Sequence, residues 1–531
     1  MIGIITDGCR LARWQANALS HLHRDNEFIV LNCTNAKVSR NPLKHALYYL
    51  LNLLSLKTAR TRSVPIPSSL RVTKTIDFEA AHEGGWQSLP PDIVDQISAE
   101  NISVLIKFGM GLLRVPSELP CPILSYHHGD PRKYRGRPAG FYEMLAGEHS
   151  LGQIVQILSN KLDSGKVVAF AETKIHPYSY RATMDEAYRC SALLLPKALS
   201  NALAGKALPI HPDGPNYRLP SNAVVLPFLA KMVTASLCRF AYGAFFEKHW
   251  QVAKASGGEL EPGGLVDNFP SPASWEHVGC PGKYRFIADP FPNPVGDGIF
   301  AEGLRRSDSQ GEILCLGTGE PLTLCSGRGH FSYPATVCQG EDCFLVPEIS
   351  EWSLPRIFRL CAKSAQEIGR LQVDGAPRLI DPTLFQAADG TVYLFGNEVT
   401  AGHGVLRLWF ADDLLGEFAE HPGSPICISP AGARMGGALM QSNGRLFRWG
   451  QDGRRGYGNG LILFEILELA KEAYSERESG HLRFSSVKGP HTLNISSGKL
   501  LFDFYRDRFS PFGGLRRLRS RLTKRSRDRE V

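Results

Sequence analysis

Short apolar runs alternate with helical patterns over residues 1–210. The apolar positions within each run are nearly continuous, as in strands of a sheet whose two faces are both covered by helices. A helical pattern over residues 184–203 closes the region. These features predict an α/β domain over residues 1–210, built on a mainly parallel, Rossmann-like sheet. The predicted strands are 2–6, 28–33, 103–109, 122–128 and 151–158.

A different pattern begins near residue 275, where helical periodicity gives way to a repeated segment. Each copy has a small or proline-containing start, an apolar pair, a turn and an apolar strand. Short strands repeated at this spacing are typical of propeller blades, and we predict an all-β five-bladed propeller over residues 275–512. A β-sandwich is the alternative, but it does not account for the repeat. The copies start at Asp289, Tyr333, Asp381, Gly437 and Pro490.

Two apolar stretches raise the question of a membrane span. Residues 43–56 are too few to cross a bilayer, which needs about 20 apolar residues. Residues 223–246 are numerous enough, but they include Lys231 and Arg239. We predict that this second stretch is a helix packed on a domain, within a helical linker over residues 211–274.

Composition and charge restrict the class of protein. With 531 residues, of which 43% are hydrophobic and 21% charged, the chain has the size and balance of a soluble protein of more than one domain. Much of the formal net charge of +8 comes from eight lysines and arginines after residue 513. We predict that residues 513–531 form a disordered basic tail, which is compatible with contact at an anionic membrane surface and offers no specific nucleic-acid site.

The cysteines bear on the cellular compartment. All twelve are scattered, none forms a C-x-x-C pair, and several lie inside apolar runs. This spacing favours reduced thiols in a cytoplasmic protein over a disulfide framework or a zinc site, so we predict no metal. The N-terminal sequence MIGIITDGCRLARW reaches polar residues too early for a signal peptide, which supports the cytoplasmic prediction.

The stretch SYHHGDPRKYRGRPAGFYEML carries the first candidate chemistry. It places His127 and His128 at the end of a predicted strand, where ligands bind in sheets of this type. An imidazole can accept and return a proton near neutral pH, but a partner must fix its tautomer. Asp163, in the turn LDSG, is the candidate partner. The alternatives are a turn-capping role for Asp163 and a structural, hydrogen-bonded role for each histidine.

Four cations crowd the loop that follows the two histidines. They form either a solvated surface or a phosphate site, such as one for the diphosphate of a sugar nucleotide. The chain has neither a G-x-G-x-x-G nor a Walker motif, so a sheet of this type does not by itself predict NAD or ATP binding. The four cations are Arg132, Lys133, Arg135 and Arg137.

Three segments resemble, in order, the formyltransferase family, which includes methionyl-tRNA, glycinamide ribonucleotide and sugar-nucleotide formyltransferases. They are VLIKFGMGLLRVPSELP, HHGDPRKYRGRPAGFYEML and LDSG. The resemblance implies 10-formyltetrahydrofolate as donor and an amino group, on an activated or lipid-linked amino sugar, as acceptor. It implies that His127 is the catalytic histidine and Asp163 its acid partner. The residues implied to hold the folate are Phe108, Gly109, Met110, Gly111 and Leu112.

The sequence departs from this family at one catalytic position. Ser125 stands two residues before the histidine, where the family has an asparagine that donates to the oxyanion. A hydroxyl can also donate, but loss of one such donor costs roughly 100- to 1000-fold in rate. His128 can take over part of this role only if the strand has already ended, because alternate side chains of a strand point to opposite faces. Ser125 and His128 complete the candidate catalytic set.

The repeats resemble the five-bladed propellers of family 43 glycosidases, and most closely the N-terminal domain of glucosamine inositolphosphorylceramide transferases. The segments ADPF, PEISEW and IDPTLF carry Asp289, Glu348 and Asp381, and GPHTLN carries His491. Strand starts converge on the channel of a propeller, so we expect the three carboxylates to meet there. Glycosidases need one protonated and one ionised carboxylate. However, the order Asp, Glu, Asp along this chain differs from that family's Asp, Asp, Glu.

Two functions follow from these resemblances. The first is transfer of a formyl group to an amino sugar by residues 1–210. The alternative is a carbohydrate-active protein that works through the propeller, as a glycoside hydrolase, a glycosyl transferase or a glycan-binding platform, with a degenerate first domain. The altered carboxylate order favours a platform over hydrolysis. The candidates to line it are Trp352, Arg434, Trp449 and Arg506.

Overall fold

The computed structural model describes residues 1–23, 25–35, 43–258, 261–317, 322–327, 329–349, 353–361 and 364–518. The chain divides into two compact units, Met1–Leu237 and Cys238–Val531, here termed unit 1 and unit 2. Most of the predicted basic tail lies outside the described residues. Its first part, residues 513–518, is helical.

Unit 1 is built on a mixed sheet with helices. Five strands are parallel, and two more continue the sheet in antiparallel fashion at one edge. The first strand, Ile2–Asp7, is buried in all but its last residue, which explains its continuous apolar pattern. Across the sheet, the strands are Arg71–Phe78, Glu27–Cys33, Ile2–Asp7, Val104–Lys107, Ile123–His127, Ser150–Ile157 and Lys166–Lys174. The short strands of the unit are Arg10–Ala12, Ser63–Pro65, Ala81–Glu83, Trp86–Ser88, Leu113–Arg114, Arg135–Gly136 and Asn216–Tyr217.

All five strands predicted for this unit are present, with ends that shift by two residues at most. The sequence pattern misses strand Arg71–Phe78, because its first five residues are exposed and mostly polar. The predicted helix 184–203 is two helices, separated by the 3-10 turn Ala192–Leu194, and Pro196 stands in the first turn of the second, where proline is favoured. The helices are Arg13–Ser20, Ala46–Ser55, Pro91–Ala99, Phe141–Ala146, Tyr180–Ser191 and Leu195–Leu203.

Unit 2 consists mainly of five sheets of antiparallel strands. Sheet 1 contains Tyr284–Pro292, Ile299–Arg305, Gly311–Leu316 and Leu322–Cys325. Sheet 2 contains Phe331–Gln339, Asp342–Ile349, Arg356–Cys361 and Ser364–Arg370. Sheet 3 contains Leu379–Gln386, Val392–Glu398, Val405–Ala411 and Glu417–Glu420, with the short strands Gln372–Val373 and Cys427–Ile428. Sheet 4 contains Ala431–Met435, Arg445–Asp452, Leu461–Leu469 and Tyr474–Leu482, with Met440–Ser442. Sheet 5 contains Glu276–His277, Phe246–Ser256, Lys499–Phe509 and Leu493–Ser496.

The five sheets close on themselves. Sheets 1 to 4 contact one another in sequence through their first strands, and apolar residues of sheet 4 pack against sheet 5. Sheet 5 in turn contacts the first strand of sheet 1. It pairs Phe246–Ser256, the first strand of the unit, along its whole length with Lys499–Phe509, the last strand. The two ends of unit 2 are therefore held in one sheet.

The repeat detected in the sequence corresponds to an irregular position in the first strand of four sheets. Asp289, Tyr333 and Asp381 have φ values of 50°, 47° and 48°, and Gly432 has 94°. Each lies at a break in strand register. A bulge of this kind re-aims one side chain. The predicted fourth start, Gly437, is replaced by Gly432, because the strand Ala431–Met435 ends before Gly437.

The predicted helical linker 211–274 is not helical throughout. A long helix, Asn222–Phe245, is followed directly by strand Phe246–Ser256 of sheet 5 and then by the short helix Pro262–Asp267. Among the described residues, the long helix is the one helix long and apolar enough to cross a membrane by length and composition. Its first part packs on unit 1, where Val225 and Phe228 are buried and Phe228 stacks on Phe141, but only 11% of its most apolar window is buried.

One pair of cysteines contradicts the prediction of reduced thiols. Cys338 and Cys343 stand opposite each other on the first two strands of sheet 2 and form a disulfide. The tight hairpin brings their Cα atoms to 4.1 Å, which the spacing in the sequence does not reveal. The other ten cysteines are free.

Candidate functional site

His127 and Asp163 lie side by side at the carboxyl edge of the unit 1 sheet. Oδ1 of Asp163 is 3.5 Å from Nδ1 of His127, and Nε2 of His127 is 3.1 Å from the carbonyl oxygen of Tyr134. Oδ2 of Asp163 accepts the backbone N–H of Gly136 at 2.8 Å. Both ring nitrogens of His127 face oxygen atoms, so its imidazole is held in one orientation. The structure brings together the two residues paired from the sequence.

The two supplementary candidates are buried. Ser125 lies inside strand Ile123–His127 and is 7% exposed. Nε2 of His128 is 2.9 Å from the hydroxyl of Ser191, and its ring packs edge-on against Trp14. Burial, and then the neighbouring imidazole of His127, lower the pKa of His128 to about 3. His128 is therefore a neutral side chain at physiological pH, which favours its structural alternative.

The loop Phe108–Leu112 is fixed by contacts to the ends of two strands. Met110 has φ 54° and donates its backbone N–H to Asp7 at 2.9 Å. A Cβ on Gly109 would lie 2.5 Å from the same carboxylate, so only glycine fits there. Lys107 donates to a loop carbonyl at 2.9 Å, and burial lowers its pKa. The loop has a defined shape set by Asp7 and Lys107.

Two of the four loop cations have carboxylate partners within the loop region. Arg132 binds both oxygens of Asp130, at 2.8 and 2.9 Å. Lys133 lies 3.4 Å from the carboxylate of Glu148. These ion pairs reduce the positive charge that the loop can offer to a phosphate.

The space beside His127 is small. Its volume is about 10 Å³, close to the space that one water molecule needs. A later segment covers it, because Asn216–Tyr217 pairs with Arg135–Gly136 and Nε of Arg135 donates to the carbonyl oxygen of Gly214 at 2.6 Å. This segment narrows the access to His127 from the side of the Arg135–Gly136 loop.

Glu143 lines the same space and was not singled out from the sequence. It stands in the first turn of helix Phe141–Ala146 and is 3% exposed. Burial, reinforced by the negative charge of Glu148, raises its pKa to about 8. An isolated glutamate within the apolar stretch FYEML is the signal that could have identified it.

In unit 2, Asp289, His491 and Asp503 form a buried chain of charges. Nε2 of His491 is 3.0 Å from Asp289. Nδ1 of His491 is 2.6 Å from Asp503, and this contact is an ion pair without hydrogen-bond geometry, because the carboxylate oxygen does not lie along the Nδ1–H bond. Asp503 also accepts the backbone N–H groups of Asp289, His491 and Thr492. Burial opposes the charge on His491, but the two carboxylates outweigh it and raise its pKa to about 10. His491 likewise outweighs burial at Asp289 and lowers that pKa.

Glu348, Asp381 and Arg434 form a second cluster in this unit. Nη2 of Arg434 donates to Asp381 at 3.1 Å and lies 3.9 Å from Glu348. Glu348 accepts the backbone N–H of Asp381 at 3.2 Å, and Gln451 donates to the Asp381 carboxylate at 3.0 Å. Burial, and then the negative charge of Asp381, raise the pKa of Glu348 to about 8. Glu348 is therefore mainly protonated at neutral pH, beside an Arg–Asp ion pair.

Tyr457 connects the two clusters. The guanidinium of Arg434 lies 5.1 Å from the centre of its ring, and the ring of His491 is 5.0 Å away on another side. Tyr457 is 41% exposed, and the Glu348 and Arg434 side chains are partly exposed. These three side chains form the accessible part of the site, with Asp289 buried behind them.

The structure thus brings Glu348 and Asp381 into contact and places Asp289 in the adjoining cluster. Of the residues suggested to line a glycan platform, Arg434 belongs to the site. Trp449 is fully buried in the core, and Trp352 lies outside the described residues. Asp503 and Tyr457 were missed, because no motif marks them and they reach the site from other parts of the chain.

Asp289, His491 and Asp503 also have the side-chain types of a metal site, with ligand atoms within 4.8 Å of one another. However, each nitrogen of His491 already faces a carboxylate, and Asp503 already accepts three backbone N–H groups. A proton held with a pKa of about 10 competes directly with a cation for the imidazole. These residues fit an imidazolium between two carboxylates better than a metal ion.

Part of unit 2 is similar to proteins that are named as transferases. Residues 321–499 match the family model described as glucosamine inositolphosphorylceramide transferase 1, N-terminal. The protein of that name from Oryza sativa subsp. japonica is 33% identical over 209 residues, which cover 36% of this chain and 28% of the rice protein. The chain therefore spans less than a third of that relative. The matched segment contains Glu348, Asp381, Arg434, Tyr457 and His491.

The solved structures similar to this chain include a glycoside hydrolase and a formyltransferase. A family 117 glycoside hydrolase from the marine bacterium Zobellia galactanivorans is 11% identical, with a TM-score of 0.31, and covers 49% of this chain and 90% of its own. A sugar N-formyltransferase from a Shewanella species is 12% identical, with a TM-score of 0.28, and covers 43% of this chain and 87% of its own.

Proposed function

We propose that unit 2 is a carbohydrate-active propeller in which Glu348 acts as a general acid. The closure of five sheets through the pairing of the first and last strands supports the propeller. The observation that carries the function is the contact of Glu348, near the end of the second strand of sheet 2, with the ion pair of Asp381 and Arg434 on the first strands of sheets 3 and 4. Tyr457 provides an aromatic face beside it for a sugar ring.

The proposed chemistry separates the roles of two carboxyl groups. Glu348 donates its proton to the oxygen that leaves the anomeric carbon as that C–O bond breaks, and a hydroxyl group of the acceptor or of water forms the new bond to this carbon and releases its proton to solvent. Asp289, which His491 keeps ionised, supplies the negative charge of the site. Two carboxyl groups with pKa values pushed apart are typical of acid–base catalysis on glycosides. The rice relative's name directs the first tests to glucosamine and to inositolphosphoryl lipids.

The test is a mass-spectrometric assay of the full chain with nucleotide-activated glucosamine and glucosamine-bearing inositolphosphoryl lipids. We expect turnover by the wild type and a loss of about 1000-fold in Glu348→Gln, because a general acid contributes roughly 100- to 10,000-fold. Calorimetry should show that this variant still binds the sugar. Glu465→Gln, which alters a carboxylate paired with Arg445, is the matched control. Equal turnover by wild type and Glu348→Gln would remove the proposal.

Formyl transfer by unit 1 is the second candidate, and the contact between His127 and Asp163 favours it. Its donor would be 10-formyltetrahydrofolate. The test is incubation of the full chain with this donor and amino-sugar nucleotides, read by the mass of one added formyl group. His127→Ala should abolish the addition. Failure to bind folate would exclude this candidate and leave the unit 2 assay unaffected.

A further inference from the structure

A large cleft lies in unit 2 beside the carboxylate clusters. Its volume is about 960 Å³. It is lined by the beginnings of strands Phe246–Ser256 and Tyr284–Pro292 and by residues that follow strand Lys499–Phe509. Trp250 connects the cleft with the cluster of Asp289, His491 and Asp503. It lines the cleft, and its ring is 4.2 Å from the ring of His491. The cleft lies outside the segment that matches the transferase family.

The cleft is strongly cationic. Its described lining includes Glu247 as the sole carboxylate, and Arg516 binds that group at 2.7 Å. Arg285 and Arg508 make no ion pair with any residue in the described part of the chain. Burial, followed by the charges of Arg508 and a neighbouring arginine, lowers the pKa of His249, as expected in a region of positive potential. The cationic lining residues are Lys248, Arg285, Arg306, Arg508, Arg516 and Arg517.

Large apolar side chains surround these cations. Phe509 and Phe512 line the cleft and are 63% and 61% exposed. Leu515 and Leu518 follow on the same segment and are exposed as well. Phe245, at the end of the long helix, stacks with Phe509. Exposed aromatic and aliphatic side chains beside arginines are typical of surfaces that rest at the interface of a membrane.

The last part of the long helix, residues 238–245, belongs to unit 2 and extends this apolar surface. Its residue Tyr242 lines the cleft and donates a hydrogen bond to Asp507. Arg517 donates to the carbonyl oxygens of Gly243 and Phe246, which ties the C-terminal segment to the end of the helix. Phe240 and Phe245 of this part are 75% and 44% exposed.

We propose that this cleft docks on a lipid bilayer and binds the phosphate groups of anionic phospholipids. Arginine forms paired hydrogen bonds with phosphate oxygens, and a cluster of basic residues is attracted to the negative surface of such a membrane. The phenylalanines and leucines enter the apolar boundary beneath the headgroups. Charge complementarity and the apolar border together identify a membrane rather than a soluble anion. The proposal is independent of which unit carries the chemistry.

The test is co-sedimentation of the full chain with vesicles of phosphatidylcholine alone or mixed with phosphatidylinositol. We expect binding that requires the anionic lipid and weakens as salt is added, because salt screens the attraction. The double variant Arg285→Gln with Arg508→Gln should bind about 30-fold more weakly. Phe509→Ser with Phe512→Ser should bind at least about tenfold more weakly.

Matched controls lie elsewhere on unit 2. Arg359→Gln with Lys499→Gln makes the same change in charge, and Leu415→Ser with Leu467→Ser removes exposed apolar side chains away from the cleft. Both should bind like the wild type. Wild-type binding by the Arg285/Arg508 variant would assign the membrane contact to another part of the chain and overturn the proposal. Calorimetric binding of inorganic phosphate without any binding to vesicles would also overturn it, in favour of a soluble ligand.

Discussion

The two candidate sites differ in how their charged groups are held and in what covers them. In unit 1, His127 meets one carboxylate at 3.5 Å, and segment 214–217 closes the space beside it. In unit 2, His491 lies between two carboxylates, while Glu348, Arg434 and Tyr457 remain partly exposed. The site in unit 1 has the motif that is easier to recognise in the sequence, and it is also the site that another segment covers. A motif identifies chemical groups, but residues far along the chain decide whether a substrate can reach them.

The largest difference expected between the units is in their response to pH. The pKa of His491 is raised from 6.5 to about 10, so folded unit 2 binds more protons than the unfolded chain in this interval. Its contribution to stability is fully present below pH 6.5 and is lost as the pH rises through about 10, a change on the order of 5 kcal/mol. The raised pKa of Glu348 also makes unit 2 less stable as the pH rises, but only up to its value of about 8. Between about pH 8 and pH 10, the change in stability therefore reports mainly on His491.

His128 gives unit 1 a response in the opposite direction. Its pKa is lowered from 6.5 to about 3, so its contribution to stability is lost as the pH falls through this interval. Urea unfolding followed by pulse proteolysis and mass spectrometry measures each unit separately. His491→Gln should flatten the alkaline loss in unit 2 and leave unit 1 unchanged. Parallel alkaline curves for the wild type and this variant would show that His491 is not held as an imidazolium.

A pair of equivalent substitutions compares the two carboxylates that face the histidines. Asp503 is fully buried and accepts three backbone N–H groups besides contacting His491. Asp503→Asn removes one of the two carboxylates that face the buried imidazolium of His491 and replaces an acceptor of three backbone N–H groups, and we expect a loss of about 3–5 kcal/mol in the unfolding free energy of unit 2. Asp163→Asn keeps an oxygen for the N–H of Gly136, so its loss should stay below about 1 kcal/mol. Urea denaturation measures both, and similar losses would contradict the contrast between the sites.

The strands of unit 1 and the repeats of unit 2 were readable from the sequence because both depend on local apolar patterns. The starts at Asp289, Tyr333 and Asp381 were found because a bulge needs a particular residue pattern on a short segment. The surroundings of the candidate site residues could not be predicted from such local patterns. Asp503 reaches His491 through pairing of distant strands, so no spacing in the sequence reveals it.

The same limit explains the closed space in unit 1. The segment that covers His127 was assigned to a helical linker, whereas residues 214–217 are extended and pack on the histidine loop. Their contact depends on backbone hydrogen bonds, which any residues can make. The disulfide between Cys338 and Cys343 was missed for a related reason, since only the hairpin register places the two cysteines opposite each other.

Gly136→Ala tests whether that cover can be loosened. Gly136 has φ 85°, and an added Cβ would lie 2.1 Å from the carbonyl oxygen of Tyr217. The substitution must therefore strain the loop or displace strand Asn216–Tyr217, at a cost of about 1–3 kcal/mol in unit 1. Gly205→Ala is the control, because Gly205 has φ 65° and no atom within 4 Å of the added Cβ. Faster hydrogen exchange over residues 214–217 in Gly136→Ala alone would show that the cover is held by this close approach, and equal exchange in the two variants would show that it is held elsewhere.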